Sequence, residues 1–167
     1  SLRVRPFYAV SVGLAALVLA LVAARPLIGF WYYLGGIGAP GWGDAGVIVP
    51  WTAWMQYGDT SIVRENWAAM ERWMSFIETS NPGYLRRKNT GANFGDWLPA
   101  GSQTPRDLVA TAYWVLVADQ MSQMARAIGR EADAERYVAT AENVRAAFRK
   151  EFINDEGTVA SGSQTAY

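Results

Sequence analysis

The chain has 167 residues, and its 15 lysines and arginines balance its 15 acidic residues, so the net charge is zero. It contains neither cysteine nor histidine, which excludes disulfides, thiolate metal ligands, cysteine nucleophiles and a histidine base. The neutral balance argues against a nucleic-acid partner, and we expect no cofactor. Any chemistry must depend on carboxylates, hydroxyls, lysine or aromatic surfaces, and the chain carries 8 tryptophans and 8 tyrosines.

The ends of the chain indicate a fragment of a longer protein. The first residue is serine, and the last four, QTAY, show no sign of a finished domain. Composition changes sharply near residue 37, which predicts two parts, 1–37 and 38–167.

The first part is dominated by an uncharged stretch, residues 6–24, between Arg5 and Arg25. A helix over its 19 residues would be about 28 Å long, close to the hydrocarbon thickness of a bilayer. We favour a membrane anchor or a signal segment, with a membrane, secreted or periplasmic location. Residues 22–24 (VAA) fit a signal-peptide cleavage site, and a buried core helix is a further alternative. Aromatic residues 30–33 fit a membrane interface.

From residue 43 onward, the pattern predicts helices separated by turns. A first helix is expected from an Asp44 cap to Tyr57, ending at Gly58. Pro50 lies inside it, so we expect either a kink or a later start.

A second helix is capped by Asp59 or Thr60 and ends at residues 80–83, SNPG. Apolar residues recur at spacings of three and four and predict one buried face, made of Ile62, Trp67, Met70, Trp73, Met74 and Ile77.

The next segment, residues 81–104, is a long polar loop with one apolar cluster at 94–98. Loops of this length in compact domains are usually functional or disordered.

A third helix begins with a Thr104 cap and Pro105 at its first position and runs to Ile128. Its predicted inner face is Ala112, Leu116, Met121, Met124 and Ile128. After a turn at Gly129, residues 130–152 form an antiparallel partner with an inner face of Tyr137, Ala141, Val144, Phe148 and Phe152. The fold class is therefore all-α. The acids at 151, 155 and 156 have no histidine or cysteine partner, so we expect no metal site.

Several motifs follow one another in an order that resembles a known family. They are GAPGWGDAGVIVPWTAWMQYGD, NFGDWL, TPRDLVATAYW, AFRKEF and SQTAY. The sequence is similar over residues 38–167 to bacterial α-L-rhamnosidases of glycoside hydrolase family 78. The resemblance implies part of an (α/α)6 barrel of six helical hairpins, preceded here by the N-terminal hydrophobic helix.

The resemblance also implies hydrolysis of terminal rhamnose from glycosides or polysaccharides with inversion of configuration. Inverting glycosidases use two carboxyl groups about 6.5–9.5 Å apart, one as acid and one as base. Aromatic faces stack on the sugar, and the resemblance implies this role for Trp42 and Trp97. It implies that Asp44 and Asp96 hold sugar hydroxyls or orient neighbouring groups.

Two departures from the family pattern bear on activity. The acidic motif expected upstream of GWGDA is absent, and the glutamate expected as general base would lie beyond residue 167. We therefore assign no catalytic residue and predict that this polypeptide alone is inactive.

Plainer alternatives remain open for each feature. Asp44 is also a good helix cap, and Asp96 a plausible turn residue. Residues 104–152 also suit a membrane-tethered helical-repeat module that binds peptides, although no second copy occurs at the required period of about 34 residues.

Overall fold

A computed structural model describes residues 38–96, 101–159 and 161–166. These ranges form four helices: α1 (Ala45–Tyr57), α2 (Ser61–Ser80), α3 (Arg106–Ala127) and α4 (Glu131–Phe152). A single 3-10 turn, Gln164–Ala166, follows them. The described ranges contain no strand, only an isolated bridge between Ile153 and Val159. The all-α prediction is confirmed.

A short turn joins α1 to α2. Gly58 has a φ of 70°, and its N–H donates to the Trp54 carbonyl at 2.7 Å, which ends α1 as predicted. The Asp59 carboxylate accepts from the N–H and the hydroxyl of Ser61, both at 2.8 Å. Of the two predicted caps for α2, Asp59 therefore makes the side-chain contacts, whereas Thr60 makes no capping bond.

Pro50 does not delay α1. The helix begins at Ala45, well before the proline, and the expectation of a later start is wrong. A proline in the second helical turn deprives only the Gly46 carbonyl of its usual partner. The helix lacks this one hydrogen bond, and the Pro50 ring is buried.

The face of α2 that packs inward follows the predicted spacing of three and four. Its buried residues are Val63, Trp67, Met70, Met74 and Ile77. Ile62 and Trp73 were also predicted to be buried, but they lie half-buried beside this face. The position of Trp73 at the edge allows its indole N–H to reach a polar partner.

Helices α3 and α4 form an antiparallel hairpin, as predicted. They are joined by residues 128–130, where Gly129 has a φ of 78°, and they pack on each other extensively. An ion pair between Arg145 on α4 and Asp119 on α3 links their outer sides. Side chains from all four helices form the common core, with Trp67, Trp114 and Tyr137 among its largest members.

The predicted inner face of α3 is wrong at its N-terminal half. Met121 and Met124 are buried as expected, but Ala112 is exposed and Leu116 is 43% exposed. Helix α3 contacts all three other helices, so it buries several small and polar residues that apolar periodicity does not mark. Its buried residues are Leu108, Ala110, Thr111, Trp114, Val117, Ala118, Gln120, Met121, Ser122, Met124 and Ala125.

Thr104 does not cap α3. Its buried hydroxyl lies 3.1 Å from Asp96 Oδ2, to which it donates, and 2.6 Å from the Ser163 hydroxyl. The helix begins at Arg106 without a side-chain cap. The Thr104 hydroxyl thus links the loop after α2 to the segment after α4.

Two predictions fall on residues outside the described ranges. One is the hydrophobic helix at residues 6–24 with its membrane contact, and the other is the sugar-stacking role of Trp97. Within the described ranges, none of the helices is both long enough and apolar enough to cross a membrane. The membrane-tethered helical-repeat alternative therefore stays a prediction.

Candidate functional site

Residues 38–44 form a tightly turned loop that leads into α1 and carries both Trp42 and Asp44. Gly41 has a φ of +79°, a conformation that side chains rarely adopt. The Gly43 N–H donates to the Ala39 carbonyl at 2.8 Å. The loop is therefore held in part by its own backbone at the start of α1.

Asp44 precedes α1 but does not cap it, so this predicted role is wrong. Its backbone is already helical, with φ −67° and ψ −18°, and its side chain makes no capping bond. The carboxylate turns back instead, so that Oδ2 accepts from the Gly41 N–H at 2.8 Å. Oδ1 accepts from the Trp73 indole N–H at 3.0 Å.

Arg86 completes the environment of Asp44. Its Nη1 donates to Asp44 Oδ1 at 3.0 Å and Oδ2 at 2.9 Å, and its guanidinium lies 5.4 Å from the Trp73 ring centroid. The two ionic side chains are 2% and 0% exposed. A buried ion pair is favourable only when further hydrogen bonds satisfy both charges, and here the surrounding donors supply them. We call Asp44, Trp73 and Arg86 the Asp44 clamp.

The loop after α2 brings Arg86 to this position. The buried Asn81 side chain accepts from the backbone N–H groups of Arg87 and Lys88, both at 2.9 Å, and donates to the Ile77 carbonyl at 3.0 Å. The Arg86 N–H donates to the Thr111 hydroxyl on α3 at 3.1 Å. These contacts fix the backbone at Arg86 and at the two residues that follow it.

The same loop presses directly against residue 38. A Cβ added to Gly38 would lie 1.6 Å from the Asn89 carbonyl oxygen, so a side chain does not fit there. The Gly38 carbonyl accepts from Arg86 Nη2 at 3.2 Å. The glycine therefore permits a close approach between two backbone segments.

Trp42 lies on the outer side of its loop and is 76% exposed. It lines a cleft of about 350 Å3, which we call the Trp42 cleft. The cleft is lined by Pro40, Gly41, Trp42, Ile48, Asn93, Phe94, Gly95, Val109 and Tyr113. Of the predicted site residues, Trp42 lines the cleft, whereas Asp44 is buried in the clamp and does not line it.

Asp96 lies next to the Trp42 cleft. It is half-buried, accepts from the Thr104 hydroxyl and lines a small cavity that shares Phe94 and Gly95 with the cleft. Because Trp97 is outside the described ranges, its predicted sugar-stacking role stays a prediction.

A second cleft, of about 310 Å3, adjoins the first at Asn93 and is lined by Arg86, Arg87 and Arg106. Arg87 donates to Asp107 and to Glu151, and these two hydrogen bonds raise its pKa. Among the described residues, no group of three or more acids is placed to hold a metal ion.

Comparison with known proteins identifies the fold. Residues 26–167 match the model of the bacterial alpha-L-rhamnosidase six-hairpin glycosidase domain. The chain belongs to this family. The match begins at residue 26, twelve residues before residue 38, where the first of the resembling motifs begins.

Family members with curated descriptions agree with this assignment. The chain is 36% identical over 132 residues to an alpha-L-rhamnosidase of Streptomyces avermitilis and 30% identical over 139 residues to one from Alteromonas sp.. These alignments cover 79% and 76% of the chain but only 12% and 15% of the relatives, so the chain spans about an eighth of their length.

Solved structures of family members share the fold. The Streptomyces avermitilis alpha-L-rhamnosidase, crystallised with L-rhamnose, superimposes with a TM-score of 0.71 at 35% identity, over 78% of this chain and 12% of that one. The enzyme from Dictyoglumus thermophilum gives a TM-score of 0.64 at 26% identity, over 71% and 13%. The prediction of a partial six-hairpin domain is confirmed.

Arg86 is the residue of this site that the sequence did not reveal. It stands in the polar run YLRRKNT beside a second arginine, a pattern typical of a solvated loop. Its contacts with distant segments, above all the pair with Asp44, distinguish it from Arg87, whose side chain is 45% exposed.

Proposed function

We propose that the Trp42 cleft binds a rhamnose-terminated glycoside or polysaccharide and that this chain by itself does not cleave it. The observation that carries the proposal is Trp42, a residue 76% exposed, on a loop that a buried ion pair holds in place. An exposed aromatic face on a rigid support suits the apolar face of a sugar ring.

The size and lining of the Trp42 cleft support a small, partly apolar ligand. Its volume of about 350 Å3 is near the lower end of the usual range for ligand pockets, about 300–1,000 Å3. Trp42 and Tyr113 supply aromatic surface, and Asn93 supplies a polar group beside them. A deoxysugar, which has hydroxyl groups and a methyl group, matches this mixture. The relative crystallised with L-rhamnose belongs to the same family.

The carboxylates near the cleft are unsuited to inverting hydrolysis. That reaction needs two carboxyl groups on opposite sides of the scissile bond. None of the described residues that line the Trp42 cleft is acidic. Asp44 is fully buried with both oxygens hydrogen-bonded, and Asp96 lines the neighbouring cavity. We therefore expect binding without turnover.

Binding is tested by calorimetric titration of the full chain with L-rhamnose, using D-glucose as the comparison sugar. Trp42→Ala should abolish the rhamnose signal. Tyr57→Ala removes an aromatic residue that is 84% exposed and outside the cleft, so it should leave the signal unchanged. A folded wild-type chain without a rhamnose response, or equal losses in the two variants, would overturn the proposal.

Turnover is tested separately with a nitrophenyl rhamnoside. We expect no release of nitrophenol above that of a heat-inactivated sample. Release that is lost in Asp96→Asn while the variant stays folded would show that Asp96, beside the cleft, takes part in turnover, and the non-catalytic assignment would be wrong.

A further inference from the structure

We propose that Arg86 is a positioning residue for the Trp42 cleft: one guanidinium group holds both ends of the loop that presents Trp42. The inference rests on the proposed sugar-binding function, but its central measurement needs no sugar.

The geometry of Arg86 carries the inference. Nη2 donates to the Gly38 carbonyl at 3.2 Å, and Nη1 donates to the Asp44 carboxylate at 2.9 and 3.0 Å. These partners are the first and last residues of the loop 38–44. Trp42 lies between them, and the Gly41 N–H is itself bonded to Asp44. The path of the backbone at Trp42 is therefore set by a group that does not line the Trp42 cleft.

The anchoring of Arg86 itself is also rigid. Its own N–H is held by Thr111 on α3, and its guanidinium lies over the Trp73 ring on α2. Through Arg86, the loop is therefore anchored to two helices of the core, α2 and α3. Because Arg86 is 1% exposed, water competes little for these hydrogen bonds.

A lysine cannot reproduce this arrangement. The guanidinium is a planar fork whose separate nitrogens reach two acceptors at once, whereas an ammonium group is a single point of charge. Arg86→Lys keeps the positive charge that balances buried Asp44 but loses the fixed separation between the two loop ends. We expect the fold to persist while the loop gains alternative positions.

The direct test is a 15N–1H spectrum of the tryptophan indole groups of the full chain, with Trp42 and Trp73 assigned by Trp→Phe variants. In the wild type, we expect one sharp Trp42 signal. In Arg86→Lys, this signal should shift and broaden or divide, and the Trp73 signal should move because its acceptor Asp44 is displaced. Rhamnose affinity should fall by roughly tenfold, within the range for coupling through packed networks.

Two controls separate positioning from general destabilisation. Arg87→Lys is the same substitution one residue along, at a side chain that is 45% exposed, and should leave the Trp42 signal unchanged. Val63→Ala removes buried volume on α2 about 15 Å along the helix axis from Trp73. It should lower the melting temperature without altering the Trp42 signal.

The outcomes are distinct. A Trp42 signal and a rhamnose affinity that both survive Arg86→Lys would overturn the positioning role. A displaced signal in a chain that never binds rhamnose would support positioning and remove the proposed sugar function. If Arg86→Lys fails to fold, Trp73→Phe decides, since it removes one donor to Asp44 while keeping a ring beneath Arg86. It should shift or broaden the Trp42 signal relative to the wild type, and an unchanged signal would overturn the inference.

Discussion

Asp44 and Arg86 lie 42 residues apart in the chain and form an ion pair that is almost completely buried. Each belongs to a loop rather than to a helix, and Trp73 from α2 donates to the same carboxylate. The pair therefore joins two loops to the helical core at one point. The candidate site depends on this junction more than on any single helix.

Neutralising Asp44 should be costly. Asp44→Asn leaves the Arg86 charge buried without a counter-ion, and breaking a buried pair in this way typically costs about 3–5 kcal/mol. We expect a loss in free energy of unfolding of about 3 kcal/mol, measured by urea denaturation. Asp119→Asn breaks the half-exposed pair with Arg145 and should cost about 1 kcal/mol or less. Equal losses in the two variants would contradict the structural role of the clamp.

Two glycine substitutions near α1 should have opposite effects. Gly38→Ala places a Cβ 1.6 Å from the Asn89 carbonyl oxygen, so the two backbone segments must separate. We expect a loss of stability of about 2 kcal/mol or more, as for other overpacked sites. Gly46→Ala, inside α1, meets nothing within 4 Å and should stabilise by about 0.5–1 kcal/mol. Thermal melts of both variants check this, and a neutral Gly38→Ala would disprove the close approach.

Tyr113 should contribute to sugar affinity through its ring. It lines the Trp42 cleft from α3, and replacing an aromatic face by an aliphatic chain removes about 1 kcal/mol of contact. Tyr113→Leu is therefore expected to weaken rhamnose binding about fivefold in the calorimetric titration. Leu116→Ala changes an exposed residue of α3 outside the cleft and should have no effect. A larger effect from Leu116→Ala would place the sugar elsewhere.

Alkaline pH should destabilise the core through Tyr137. Burial raises its pKa from 10.0 to about 12; Glu71 and Glu78 add to this shift, whereas Arg136 opposes it. In the unfolded chain the phenol loses its proton near pH 10, but the folded chain retains it until about pH 12. The unfolded state thus binds fewer protons in this interval, so stability falls as pH rises.

Over that interval, the loss should reach about 2 kcal/mol. Urea denaturation of the wild type and of Tyr137→Phe at pH 9 and pH 11.5 measures the difference. The wild type should lose more stability than the variant, which has no phenol to ionise. Parallel losses would assign the alkaline effect to other groups.

Helix positions were predictable because their signals are local. Gly58 and Gly129 ended helices where expected, since each adopts the left-handed conformation that glycine favours. The inner face of α2 followed its apolar spacing. The face of α3 did not, because contacts with three helices bury Thr111 and Gln120 alongside the apolar residues.

The site was less predictable because its contacts join distant segments. Trp42 lines a cleft, and its sugar-stacking role stays a prediction, whereas the capping roles of Asp44 and Thr104 were wrong. In each case, a partner from another segment binds the side chain that local pattern assigned to the helix end. Arg86 could not be singled out, since nothing local distinguishes a buried arginine from its solvated neighbour.

The close approach of Gly38 to Asn89 also has a consequence for the order of folding. Helices α3 and α4 meet through a three-residue turn, so their pairing closes quickly. The clamp instead closes a segment of more than forty residues, and its two backbones fit only when both loops are already shaped. We expect the Trp42 cleft to assemble last and to open first. Amide exchange at Arg86 should then be faster than in α3 while the hairpin remains protected.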